Sequence, residues 1–224
     1  MKSIVISIGG SVLLSKEADI SFLKKLSHLL TTLSKSQKLF IIVGGGTVAR
    51  QYIKLGRDLG FDEQTLDQIG IDITRVNAKI LTTMLAHANK KIPQSTNEAK
   101  TSEYPIVVMG GTTPGHSTDM VGAELAQKTD ADLFVIATNV NGIYDKDPNK
   151  HPDAKQLQTV HIDELISHHG TRWESAGKNT VIDGPALQLI KQSTLHTYVV
   201  NGTQLDQLEN ALTNQPFDGT KIIH

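Results

Sequence analysis

The chain contains no cysteine in 224 residues. That excludes a disulfide scaffold, thiolate-bound zinc and thiol catalysis, and it fits a reducing cytoplasm. Aromatic residues make up only 4%. Lysines and arginines are dispersed, with no stripe interleaved with aromatics, and the formal net charge is −1, so nucleic acid is not an expected partner. No run approaches the ~20 apolar residues of a membrane helix, so no membrane partner is expected either. The first residues enter an apolar stretch without a charged leader, which agrees with a cytoplasmic location. Two common nucleotide motifs are also missing. There is no Gly-x-x-x-x-Gly-Lys-Ser/Thr, and no Gly-x-Gly-x-x-Gly follows the first apolar run.

What is present is an alternation of short apolar runs and amphipathic stretches. Residues 3–8, 39–43, 105–109 and 133–137 have the apolar richness of buried parallel strands, with weaker candidates at 92–95, 197–200 and 220–223. Helical spacing covers 20–33 (capped by Asp19), 46–59 (ending near Gly60), a long stretch from Asp62 to about residue 88, then 118–128, 161–169, 183–192 and 204–212. Residues 96–103 read as a polar helix or loop, and 141–147 with 154–157 as a hairpin. The fold class is therefore α/β: a three-layer αβα sandwich around a central, mainly parallel sheet. One domain over 1–224 is expected, with a soft internal boundary near 111–119. Ligands of such sheets bind beyond the carboxyl ends of the strands.

Three glycine turns stand at those ends: Gly9-Gly10-Ser11, Gly44-Gly45-Gly46-Thr47 and Gly110-Gly111-Thr112. Any one of them is also an ordinary strand-end turn. Three in register form a floor on which backbone N–H groups could converge on several phosphates. Two further segments extend the floor. Thr112-Thr113-Pro114-Gly115-His116-Ser117-Thr118-Asp119 is short, polar and rich in hydroxyls, and it serves equally as a tight loop capping the next helix. Thr138-Asn139-Val140-Asn141-Gly142-Ile143-Tyr144-Asp145-Lys146-Asp147 is a strand end and hairpin, in which Tyr144 offers a ring to a purine.

In this order the segments resemble the amino acid kinase superfamily, and within it the archaeal type of uridylate kinase. Asp67-Gln68-Ile69-Gly70-Ile71-Asp72-Ile73-Thr74-Arg75-Val76-Asn77-Ala78 and Val181-Ile182-Asp183 add to the likeness, which spans nearly the whole chain. The resemblance implies phosphoryl transfer from ATP to UMP, assisted by Mg²⁺. It implies an acceptor part over about 1–118 and an ATP part over about 119–224. It assigns Gly9, Gly10 and Ser11 to the transferring phosphate, Gly45 to UMP, and Gly46 and Arg50 to ATP. Asp67 would hold the UMP ribose, and Thr112, Thr113, Pro114, Gly115, His116, Ser117 and Thr118 would enclose UMP. Thr138, Asn139, Tyr144 and Asp147 would lie on the ATP side, and Asp119 would organise the catalytic centre. No side-chain metal site is implied, since Mg²⁺ binds chiefly through substrate phosphates. A homohexamer built from dimers is implied as well, and the apolar excess of the long helix agrees with self-association.

Two departures stand out. Many superfamily members carry Lys two residues before the first Gly-Gly, where this chain has Ser7, so one cation is missing. Asn141 occupies a position where Asp is frequent. Lys178 matches no motif and reads as a solvated loop residue, and His116 fits a substrate contact and a bracing role equally. Two alternatives remain: another acceptor such as isopentenyl phosphate, whose enzymes are expected to place a His near the second turn, and a non-catalytic nucleotide-binding protein. Between Gly44 and Gly70 there is no His.

Overall fold

The computed structural model describes residues 2–14, 19–146, 148, 150–170 and 181–224. Seven strands form the central sheet: β1 (Lys2–Ile8), β2 (Gln37–Val43), β3 (Ile106–Met109), β4 (Leu133–Thr138), β7 (Thr159–His161), β8 (Thr197–Asn201) and β9 (Gly219–Ile223). Their order is β3-β2-β1-β4-β8-β9-β7. The pairs from β3 through β8 are all parallel, and β9 runs antiparallel to β8. A two-stranded antiparallel hairpin of β5 (Ile143–Tyr144) and β6 (Gln156–Leu157) stands apart. After β1 the chain builds β2 and β3 on one side and then crosses to β4 on the other. This reversal opens a crevice beyond the carboxyl ends of β1 and β4.

The period of two in the strands sorts side chains into two cores. Ile4, Ile6 and Ile8 of β1 face a layer made by α2 (Ile20–Leu33), α4 (Glu63–Met84) and α9 (Leu205–Leu212). Val5 belongs to the opposite core, with α6 (Thr118–Lys128), α7 (Ile162–His169) and α8 (Gly184–Ser193). A third, small cluster of Ala49, Ile53 and Leu66 joins α3 (Gly46–Asp58) to α4. The helices start where side chains satisfy free N–H groups. Asp19, Asp62, Ser95, Ser117 and Asp183 each accept from a backbone amide in the first turn that follows. A single helical turn, α1 (Gly10–Leu13), follows the first glycine pair. No helix among the described residues is long and apolar enough to cross a membrane.

Two expectations need correction. The long helix stops at Met84, not near residue 88. Ser27 Oγ donates to the Met84 carbonyl (2.8 Å) and Leu85 turns extended, which frees Ala88 for a bridge to Ile106. No strand forms at 92–95. Gln94 N–H donates to Glu98 Oε2 (2.6 Å) and Ser95 caps α5 (Thr96–Lys100), so these residues start a helix. The outer side of β3 is met instead by the Asn89 side chain. Its Oδ1 accepts from Val108 N–H (2.6 Å) and its Nδ2 donates to Val108 C=O (2.9 Å).

Candidate active site

The first two glycine turns pack backbone against backbone. A Cβ on Gly10 would sit 2.6 Å from the Gly45 carbonyl carbon, and one on Gly46 would sit 2.6 Å from the Gly10 carbonyl carbon. Gly46 also has φ of +65°, which disfavours any side chain. Glycine is thus needed here for turn-to-turn contact before any ligand is considered. The contact has an electrostatic result. Gly9 N–H is used by Ala137 C=O (2.9 Å) and Gly44 N–H by Ile8 C=O (2.9 Å). The N–H groups of Gly10, Ser11, Gly45 and Gly46 have no acceptor among the described residues. These four open N–H groups lie at the touching starts of α1 and α3, an arrangement of the kind that suits an anion. At its lip the exposed Arg50 donates to Ser11 Oγ (2.9 Å) and approaches Thr47 Oγ1 (3.3 Å).

The third turn is braced by side chains of α4. Thr74 Oγ1 accepts from Gly111 N–H (2.7 Å) and donates to Ile71 C=O (2.6 Å). Gly111 N–H is therefore not available to a phosphate, unlike those of the second turn. Arg75 Nη2 donates to Thr112 C=O (3.2 Å), and its Nη1 lies 3.7 Å from Asp72. Asp67 Oδ2 accepts from Gly115 N–H (2.6 Å), at the point where the loop turns through φ of +82°. Asn77, buried in the same helix, donates to Gly44 C=O (2.9 Å). One helix thus sets both the second and third turns. Thr113 Oγ1 and His116 Nδ1 meet at 3.2 Å within the loop, which gives His116 a bracing contact. Pro114 is exposed at the tip.

Beyond the loop lie two carboxylates. Asp119, in the first turn of α6, accepts from Ser7 Oγ (2.6 Å). Asp183, the cap of α8, accepts a short hydrogen bond from Ser117 and a second from Ala186 N–H (3.0 Å). Burial pushes the Asp119 carboxyl up to about 7, the negative charge of Asp183 adds to this, and the Ser7 hydroxyl opposes it. Burial also raises Asp183.

On the other side of the crevice, Thr138 C=O accepts from Gly202 N–H (2.8 Å) at the end of β4, next to Gly9, and Asn139 follows. Tyr144 lies on the hairpin, paired with Gln156. Asn141 anchors this region. Its Oδ1 accepts from Asn201 (2.8 Å) and its C=O from Gln156 (2.6 Å), while Nδ2 lies 3.5 Å from Asp218. An aspartate at 141 would set a second carboxylate against Asp218, which the Asn141 amide avoids. Asp147 and Lys178 lie outside the described residues.

Thus Gly10, Ser11, Gly45, Gly46 and Arg50 come together, as do Asp67 with Gly115 and Ser117 with the start of α8. Thr74, Arg75, Asn77 and Asp183 were not singled out for roles from the sequence. The available signal was polar residues at 74 and 77 on a helix face that otherwise carries Leu66, Ile71, Ala78 and Leu81.

The amino acid kinase family model matches residues 2–201. The chain belongs to this family. A uridylate kinase of Methanobrevibacter smithii is 42% identical over 98% of both chains. One of Thermoplasma volcanium is 41% identical over 99% of this chain and 97% of its own. The crystal structure of uridylate kinase from Archaeoglobus fulgidus superposes with a TM-score of 0.87 at 38% identity, covering 99% of this chain and all (100%) of that one.

Proposed function

We propose that the chain transfers the γ-phosphoryl group of ATP to UMP, giving ADP and UDP for pyrimidine nucleotide biosynthesis. The observation that carries this is the likeness to uridylate kinases over nearly the full chain, in sequence and in fold. A UMP phosphate oxygen attacks the γ-phosphorus in line, and the bond to the β,γ-bridging oxygen breaks, releasing ADP. The attacking oxygen is already anionic, so no covalent enzyme intermediate is needed. The protein aligns two polyanions and stabilises charge on the transferring oxygens. The open N–H groups of Gly10, Ser11, Gly45 and Gly46 and the Arg50 guanidinium supply fixed positive ends for this.

Asp67 and the 112–118 loop hold UMP, Asp119 stands at the reacting centre, and Thr138, Asn139 and Tyr144 face ATP. Mg²⁺ would arrive on the triphosphate and neutralise its charge. Among the described residues there is no group of three or more His, Cys, Asp or Glu that could hold a metal ion. A cytoplasmic homohexamer built from dimers completes the reading. Its support is the exposed apolar row of Tyr52, Leu55 and Leu59 along α3 and its end, and the exposed Val76 and Ile80 on α4.

The test is coupled ADP release with UMP, CMP, AMP and isopentenyl phosphate in turn. Turnover with UMP above the others is expected, and no turnover with any acceptor despite ATP binding would overturn the kinase reading.

A further inference from the structure

Ser7 stands near the end of β1, 1% exposed, on the strand face opposite Ile6 and Ile8. It therefore points at α6. Gly122 lets that helix approach: a Cβ there would meet the Phe134 ring at 2.7 Å and Ser7 Cβ at 3.7 Å. Asp119, three residues earlier on α6, is brought down onto the Ser7 hydroxyl, which donates to Oδ1 at 2.6 Å. A buried serine ordinarily bonds back to its own backbone or a near neighbour. Here the bond spans 112 residues of sequence and joins strand to helix.

We infer that Ser7 is a positioning residue for phosphoryl transfer, its hydroxyl fixing the orientation of the Asp119 carboxylate at the reacting centre. The surroundings give that hydroxyl weight. From α8, Asp183 faces Asp119 and repels its charge. From the 112–118 loop, Ser117 is committed to Asp183, and the charge of His116 is felt at Asp183. Among the described residues, Ser7 is the only hydrogen-bond partner of the Asp119 carboxylate and no Lys, Arg or His charge acts on it. The start of α6 itself adds a favourable dipole end. Without the hydroxyl, Asp119 keeps its proton to higher pH and loses the contact that fixes its rotamer. The serine thus does for orientation what the absent lysine cannot do for charge. This inference rests on Asp119 acting at the reacting centre.

The experiment compares the wild type, Ser7→Ala, Ser7→Thr, Asp119→Asn and the Ser7→Ala/Asp119→Asn double variant. Turnover is measured from pH 5.5 to 9 at saturating UMP and ATP, with melting curves alongside. Ser7→Ala is expected to lower kcat about ten-fold, with both KM values nearly constant. Its acid limb should move up by about one pH unit. Ser7→Thr, which keeps the hydroxyl, should restore most of the rate, and Ser7→Ala should add nothing once Asp119 is Asn. A purely structural role would lower the melting point and leave the pH profile in place. A Ser7→Ala profile that superposes on the wild type while Asp119→Asn is inactive overturns the inference alone. Full turnover in Asp119→Asn overturns the assignment of Asp119 beneath it.

Discussion

The first pair of glycine turns and the third turn solve the same geometric problem by different means. Gly10 and Gly46 touch main chain to main chain, with no side chain between them. The third turn also presses Gly110 against the backbone of Thr74 and Arg75, but Gly111 and the loop after it hang on the side chains of Thr74, Arg75 and Asp67 of that helix. Backbone contact leaves no atom to adjust and frees four N–H groups for a ligand. Side-chain bracing consumes an N–H but allows a loop to be reshaped by substitution. On the reading proposed above, the phosphate in transit would sit on the unadjustable part and acceptor recognition on the adjustable one.

The strongest way to break this contrast is Gly10→Ala. The new methyl would overlap the backbone of the second turn, so the crevice must open. Activity should fall at least a hundred-fold, with a loss of several kcal/mol in stability or failure to fold. Retained activity would show that the two turns are not in obligate contact.

Asp119→Asn comes next. Turnover should drop on the order of a hundred-fold, with the UMP KM little changed, because the role proposed for Asp119 is in the transition state. Stability should respond in the opposite sense. The folded Asp119 carboxyl lies at about 7 against a usual 3.8. The native chain therefore holds a proton that the unfolded chain gives up between about pH 4 and 7, and stability falls as pH rises through that window. The effect is on the order of 2–4 kcal/mol. Asp119→Asn should flatten most of it, so that the variant melts above the wild type at pH 8 and close to it at pH 4. Parallel melting curves across pH would refute the burial of this charge.

Thr74→Val and Asp67→Ala probe the braced side. Each leaves a loop N–H without its acceptor, at a cost of about 1–3 kcal/mol. The UMP KM should rise several-fold in both, with the ATP KM and kcat nearly constant. An equal rise in the ATP KM would mean that α4 does not divide the two sides.

Much of this architecture was legible in the amino-acid order. Helix α2 begins and ends at the residues its cap and apolar face require, and α6 does the same. Runs such as residues 39–43 are apolar on both faces, as a strand covered by two helical layers must be. The failures differ in cause. The end of α4 is decided by Ser27, which is 57 residues distant and outside any local window. The missing strand at 92–95 gives way to the capping of α5 by Ser95 with Glu98 three residues on, a local pattern that the apolar reading passed over. In the candidate site, residues whose backbone N–H groups stay open were found through their glycines. Those that act on other residues were not, because Thr74, Asn77 and Asp183 look like ordinary helix positions until the fold brings them to the turns.

Asn89 has a consequence outside the crevice. β3 is the rim of the seven-stranded sheet. A rim with free N–H and C=O groups is a template on which another molecule can add a strand and start an aggregate. The carboxamide of Asn89 occupies both groups of Val108 at once. It acts as a one-residue counterfeit of a neighbouring strand, complete in its pairing and too short to be extended. Together with the backbone bridge from Ala88 to Ile106, that side chain closes the sheet to growth on that side, a matter of how copies of the chain meet rather than of how substrate is turned over.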